Sequence, residues 1–256
     1  MRISVIASGS SGNCLLLSDN NTNILIDVGI SMRRVQAFLL QSACSWRELD
    51  GVLITHEHSD HICGLETVLK RTDVPVYAPH TIANRLRGRL PMIEDKLCVI
   101  PVGENFPVGN LSVRAFHTPH DTDESVGYRV EGSAVFSLAT DMGRVTDEIR
   151  EALTGSDAVL IESNHDLQML RDGPYPFPLK RRILSSHGHL SNTDCAQLAL
   201  HLAEHGTKDI ILGHLSRENN RPEIALRTVS EALGAIPVRL CCAPPEGPLE
   251  LVITEE

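Results

Sequence analysis

The sequence predicts an α/β fold, and three observations carry that prediction. Short apolar runs of strand length fill the first half, bounded by Gly, Ser and Asn turn residues. In the second half such runs alternate with helix-like patterns. Metal-ligating side chains recur just after strands, where a rigid scaffold can aim a loop residue. At 256 residues the chain suits one large domain or two small ones and can bury a sizeable core. No composition shift marks a linker, so residues 1–256 read as a single domain.

The elements follow in order. Residues 1–7, 14–18 and 23–27 are predicted strands. Ser31 caps a helix running to about residue 40. Residues 51–54 form a strand, 61–71 a helix, 76–78 a strand and 81–87 a helix. Three consecutive strands are expected at 111–116, 126–130 and 134–139. Then come a helix at 146–153, a strand at 158–162 and a well-marked helix at 192–205, opened by the S-x-x-D capping pattern Ser191 to Asp194. A strand at 209–212, a helix at 222–233 and strands at 239–242 and 249–253 close the chain. Residues 163–178, with the run Gly173-Pro174-Tyr175-Pro176-Phe177-Pro178, show no clear periodicity. An irregular loop of that length is usually a functional lid or a linker.

Composition excludes several classes. Hydrophobic content of 42% and charged content of 22% fit a soluble globular protein. No apolar run reaches bilayer-spanning length, and the first residues are too short and too soon interrupted for a signal peptide. Seven scattered cysteines with no C-x-x-C pair argue against a disulfide framework and for a reducing cytoplasm. Cys63 is expected to be a small buried hydrophobe. A formal charge of −10 opposes broad electrostatic binding to nucleic acid. Two bound divalent ions would offset part of it. Local basic clusters at Arg33-Arg34, Arg85/Arg87/Arg89 and Lys180-Arg181-Arg182 each read as a solvated face before they read as a binding patch.

The most informative segment is Thr55-His56-Glu57-His58-Ser59-Asp60-His61, at the end of the run Val52-Leu53-Ile54. Imidazole and carboxylate are donors that divalent transition metals prefer. His56 and His58 are two apart, so on an extended backbone they point the same way. Asp60 and His61 are free to point elsewhere. The simplest geometry is two pairs of ligands serving two neighbouring ions. One cluster cannot fill two coordination spheres, so further ligands belong at other strand ends. His120, Asp141 and His214 each follow an apolar strand and sit in a turn.

This order, T-H-x-H-x-D-H, then His, Asp and His, resembles the metallo-β-lactamase superfamily over most of the chain. The flanks Ala7–Asn13, Glu162–Asp166, Gly188–Asn192 and His214–Asn220 look like its YycJ (WalJ) branch. The resemblance implies a four-layer αβ/βα sandwich with a dinuclear site at the sheet edges. It implies a hydrolase, with 5′→3′ exonuclease activity on DNA as the branch's proposed activity. Carried over residue by residue, it gives His56, His58 and His120 to the first ion and Asp60, His61 and His214 to the second, with Asp141 bridging. His117 is the only competitor for the place of His120 and matches less well, because it does not directly precede an Asp.

Two ions roughly 3.5–4 Å apart lower the pKa of a shared water and stabilise the attacking and leaving oxygens, so a bridging hydroxide would be the nucleophile. Asp60 would orient it. The ligand set has only N and O donors, which suits Zn²⁺ and Mn²⁺ alike. Outside the metal set, His165 and His189 are candidates to bind phosphate or protonate a leaving oxygen. Asn164 and Ser191 are candidate substrate contacts, although Ser191 already has a capping role. Ser10 and Asn13 lie in a Gly-containing loop that can approach a ligand closely, although a tight turn explains it equally well. The expected function is a two-metal phosphodiesterase acting on nucleic acid. A small-molecule ester, lactone or cyclic phosphodiester hydrolase on the same scaffold is the alternative. A non-catalytic binding protein that keeps its metals for structure is the reading from another class.

Overall fold

The computed structural model describes residues 1–42 and 44–254. Among these, fourteen strands form two seven-stranded sheets. In chain order they are β1 (Arg2–Ala7), β2 (Cys14–Asp19), β3 (Thr22–Ile26), β4 (Gly51–Leu53), β5 (Val76–Pro79), β6 (Leu97–Ile100), β7 (Asn105–Val108), β8 (Leu111–His117), β9 (Val126–Glu131), β10 (Val135–Ala139), β11 (Ala158–Glu162), β12 (Asp209–Gly213), β13 (Arg239–Cys242) and β14 (Leu249–Val252). The first sheet has the order β14-β1-β2-β3-β4-β5-β6 and the second β13-β12-β11-β10-β9-β8-β7. Both are mixed. β1, β2 and β3 pair antiparallel, whereas β3 through β6 run parallel. β7 through β10 pair antiparallel, and β10 through β13 run parallel. The last strand returns to pair antiparallel with the first.

The helices are α1 (Met32–Gln41), α2 (Ser59–Ile62), α3 (Leu65–Arg71), α4 (His80–Arg89), α5 (Asp147–Leu153), α6 (Leu167–Asp172), α7 (Phe177–Ile183), α8 (Asn192–Glu204) and α9 (Pro222–Leu233). The period-2 alternation of β11 shows how the layers form. Ala158 and Leu160 join one apolar core with residues of the first sheet, and Val159 and Ile161 join a second core with α5, α8 and α9. α1, α3 and α4 contribute Val35, Val68 and Ile82 to the first core. A strand buried on both faces reads as a continuous apolar run, as these do. Two mixed sheets flanked by helices are the expected αβ/βα arrangement. Among the described residues no helix is long and apolar enough to cross a membrane.

Three expectations need correction. The helix expected over 61–71 is two pieces, α2 and α3, broken at Gly64. A Cβ there would lie 2.0 Å from the Ile30 carbonyl oxygen, so the chain turns where only glycine fits. The stretch 163–178 contains α6, capped by Asp166, whose side chain accepts from the Met169 amide at 2.8 Å, and the start of α7. Pro176 is the N-cap of α7 and Pro178 lies in its first turn, where a missing N–H costs nothing. Cys63 is exposed, not buried, and its thiol donates to the Gly29 carbonyl at 3.0 Å.

Candidate metal centre

The ends of β4, β8, β10, β11 and β12 converge on one edge of the sandwich, the usual place for a site in an α/β fold. The loop after β4 carries His56 and His58, and α2 presents Asp60 and His61. The Tyr128 hydroxyl, from the opposite sheet, donates to the Ile54 carbonyl at 2.6 Å and pins the start of that loop. Asp141 and His214 both sit in the left-handed region, at φ 55° and 54°. That conformation is uncommon outside glycine, though Asp and His adopt it more readily than most residues. At Gly29, a Cβ would meet the Asp60 carbonyl oxygen at 1.6 Å, so the loop after β3 passes against α2 only because the residue is glycine.

Among the described residues four overlapping donor groups result, two of them built on Asp141: one with His56 and His61, the other with Glu162, His189 and His214. His56, His58 and His120 have ligand atoms within 4.8 Å of one another, and so do Asp60, His61 and His214. Asp141 lies between them: its carboxylate is 3.2 Å from His61 Nε2, 3.5 Å from His214 Nε2 and 3.7 Å from His120 Nε2. His117, the competitor for His120, is exposed and bonds Glu148 instead.

The hydrogen bonds behind the imidazoles occupy Nδ1 and turn Nε2 toward the centre. Asp27 Oδ2 accepts from His61 Nδ1 at 2.7 Å. Glu162 Oε1 accepts from His214 Nδ1 at 2.9 Å and from His189 Nδ1 at 2.8 Å. The Gly188 carbonyl accepts from His120 Nδ1 at 3.2 Å. Thr55 Oγ1 has given its proton to Asp27, so at 3.1 Å it accepts from His56 Nδ1. In each case Nε2 is left facing the centre. His56 Nε2, His214 Nε2 and Asp141 Oδ2 are buried without a hydrogen-bond partner. Buried polar atoms are rarely orphaned, and each such case calls for an explanation such as an ion. Donors of this chemistry, bare and convergent, fit divalent transition metals.

The electrostatics divide the imidazoles. Burial pushes His61 down, but Asp27 and Asp141 outweigh it and raise it to about 10. His214 is likewise raised well above its ordinary value, burial being overcome by Asp141, Asp60 and Glu162. His56 is held well below its ordinary value by burial and by its neighbouring imidazole His61, and His120 is also lowered, chiefly by burial. Burial raises Glu162, yet His189 and His214 bring it down to about 2. Asp141 is ionised for the same reason, with His214 and His61 outweighing its burial.

A cavity of about 240 Å³ opens onto this centre. Ser10, Asn164 and His189, singled out in the sequence, line it. His165, Ser191 and Asn13 are buried and do not line it. Ser191 caps α8, accepting from the Asp194 amide at 3.1 Å. Asn13 braces its loop, taking the Gly9 amide at 2.9 Å, and its amide nitrogen is 3.0 Å from His61 Nε2. The His165 ring has two buried nitrogens without partners, and burial lowers it to about 4. The sequence assigned no site role to Asp27, Thr55, Glu162, Tyr175 or Arg182, although Thr55 opens the His motif, Glu162 opens a family-like flank and Arg182 lies in a basic cluster. Asp27 and Glu162 carried one signal, an acid closing an apolar run. Tyr175 and Arg182 enter the cavity lining from the segment around α7, and Arg182 is paired with Asp121.

Residues 22–215 match the family described as Beta-lactamase superfamily domain. The chain is 38% identical over 237 residues to Exodeoxyribonuclease YycJ of Bacillus anthracis, covering 91% of this chain and 89% of that one. It is 35% identical over 238 residues to Exodeoxyribonuclease WalJ of Streptococcus pneumoniae, covering 91% and 88%. In structure it is similar to the metallo-beta-lactamase fold protein YhfI from Bacillus subtilis, with a TM-score of 0.72, 14% identity and coverage of 97% and 98%.

Proposed function

Because the chain belongs to the beta-lactamase superfamily, we propose that its centre holds two divalent ions and hydrolyses phosphodiester bonds of DNA as a 5′→3′ exonuclease. The observation that carries this reading is Asp141, whose carboxylate lies between two donor triads while its Oδ2 has no hydrogen-bond partner. His56, His58 and His120 would hold one ion, Asp60, His61 and His214 the other, and Asp141 both. Zn²⁺ and Mn²⁺ both suit this N/O donor set. When bound, the ions would supply Lewis acidity and an activated water at neutral pH.

The other residues have roles of their own. Asp60, with one oxygen 3.6 Å from both His61 and His214, is placed to bind and to orient the water. His189 lines the cavity with Nδ1 committed to Glu162, so its Nε2 is the nitrogen available to substrate. Burial lowers this imidazole, but Glu162 outweighs it and leaves it raised, which suits a group that gives a proton to a leaving oxygen. Asn164 donates from its side chain to the His214 carbonyl at 2.9 Å, and with Ser10 it borders the space for a phosphate. The cavity, about 240 Å³, is below the usual ligand-pocket range and suits one scissile phosphate with its neighbours rather than a duplex cross-section.

DNA labelled at either end, incubated with protein loaded with Mn²⁺ or Zn²⁺, tests the reading. Label should leave the 5′ end first, and Asp141→Asn should release none. Absence of cleavage, or equal cleavage by Asp141→Asn, would overturn it.

A further inference from the structure

α7 has two faces. Leu179, Arg182 and Ile183, with Tyr175 just before the helix, line the cavity over the centre. The other face borders a separate apolar groove of about 450 Å³ formed by Leu170, Arg171, Phe177, Lys180, Arg181 and Leu184. Phe177 is 75% exposed and Leu184 49%. An aromatic ring this bare beside a second exposed apolar side chain marks a binding surface more often than a scattered residue does.

The rim is basic. Among the described residues, Arg171 and Arg181 have no ion pair, and the Lys180 ammonium donates to the Arg171 carbonyl at 2.6 Å rather than to a carboxylate. Arg182, on the cavity side, is the cation of this helix that has a carboxylate, Asp121. Three cations around one exposed ring give this face a local positive charge in a chain of formal charge −10. A neutral apolar partner does not need this pattern. A polyanion with flat apolar bases does: stacking platforms flanked by basic side chains are how single strands are held without sequence preference.

We propose that this outer face of α7 binds a single-stranded part of the DNA substrate, with one base stacked on Phe177 and neighbouring phosphates met by Arg171, Lys180 and Arg181. The inference rests on the nuclease reading and deepens it. A helix with its side chains is about 10–12 Å across, so a strand leaving the cavity reaches the groove within a few nucleotides. The groove would grip the strand away from the scissile bond and hold it in line for the next cleavage.

The test measures binding of a fluorescent oligothymidylate with a phosphorothioate backbone to the metal-loaded protein, by anisotropy over a range of salt. Phe177→Ala should weaken binding about tenfold, the loss of one stacked base. Phe177→Leu should weaken it similarly and Phe177→Trp should not, since stacking and not apolar bulk is required. Lys180→Glu and Arg181→Glu should each weaken binding and reduce the salt slope by about one. Unchanged affinity in Phe177→Ala together with an unchanged salt slope in both charge reversals overturns the proposal. Full binding by Phe177→Leu overturns it too. So does light scattering that shows a dimer turning to monomer in Phe177→Ala, because the face would then cover a second copy. If the wild type neither binds nor cleaves DNA, the nuclease reading falls and the groove with it. If the wild type cleaves while the variants bind normally, the groove alone falls.

Discussion

The two donor triads differ in what stands behind their imidazoles. His61 and His214 are each backed by a buried carboxylate, Asp27 and Glu162. His56 and His120 are backed only by a hydroxyl and a backbone carbonyl. A carboxylate behind a ligating imidazole raises its basicity and fixes its orientation, and losing such a partner costs metal affinity. The comparison teaches that one edge of a sandwich can hold two sites of unequal character. The half at Asp60, His61 and His214 is electron-rich and competes for protons. The other half contains His56 and His120, both held below the ordinary histidine range, chiefly by burial. Two similar ions in such a frame would not bind alike.

The largest expected effect comes from removing what the halves share. Asp141→Asn should lower DNA hydrolysis by more than about a thousandfold, measured as initial rates at saturating metal. Next are the carboxylates behind the imidazoles. Asp27→Asn and Glu162→Gln should each weaken metal binding about 10- to 100-fold, and one binding event should suffer more than the other in a calorimetric titration. Equal losses in both events would erase the distinction between the halves.

Protons sharpen the same comparison. In the metal-free protein His61, raised to about 10, is protonated at neutral pH and must lose that proton when an ion takes Nε2. Metal affinity of that half should therefore rise with pH from neutrality toward about 10. His56 and His120, held below the ordinary histidine range, give no such slope. Competition titrations with a chromophoric chelator across pH would show it. Linkage runs the other way for the metal-free fold. A raised histidine pKa stabilises fully below its unfolded value, about 6.5. That contribution is lost as pH rises through the folded one, so thermal stability without metal should fall over this window. The smallest effect is expected at Ser191, whose hydroxyl caps α8. Ser191→Ala should cost about 1 kcal/mol in unfolding free energy and leave the rate on DNA within about twofold.

Much of the fold was legible because period-2 apolar runs and end signals agree. The helix expected at 222–233 coincides with α9, and the strand expected at 158–162 with β11. Strands β6 and β7 were not foreseen: each has only four residues, and β7 contains Pro107, which argues against a strand except at a sheet edge, where β7 lies. Among site residues, those in or akin to the His-x-His-x-Asp-His cluster stand out because few structural needs put so many imidazoles together. Asp27 and Glu162 do not, because one acid at a strand end has many uses. Their partners, His61 for Asp27 and His189 and His214 for Glu162, lie 27 to 52 positions away in sequence and meet them only in the folded chain. α7 was hidden by the prolines that precede it and the one within it.

The most direct test of the account follows metal content and DNA cleavage together. Metal-free protein is titrated with Mn²⁺ or Zn²⁺ while bound ions per chain and the initial rate on end-labelled DNA are recorded. The account predicts two unequal binding steps, with cleavage appearing at the second. A single ion per chain at full activity, or two ions bound with no cleavage, would contradict it.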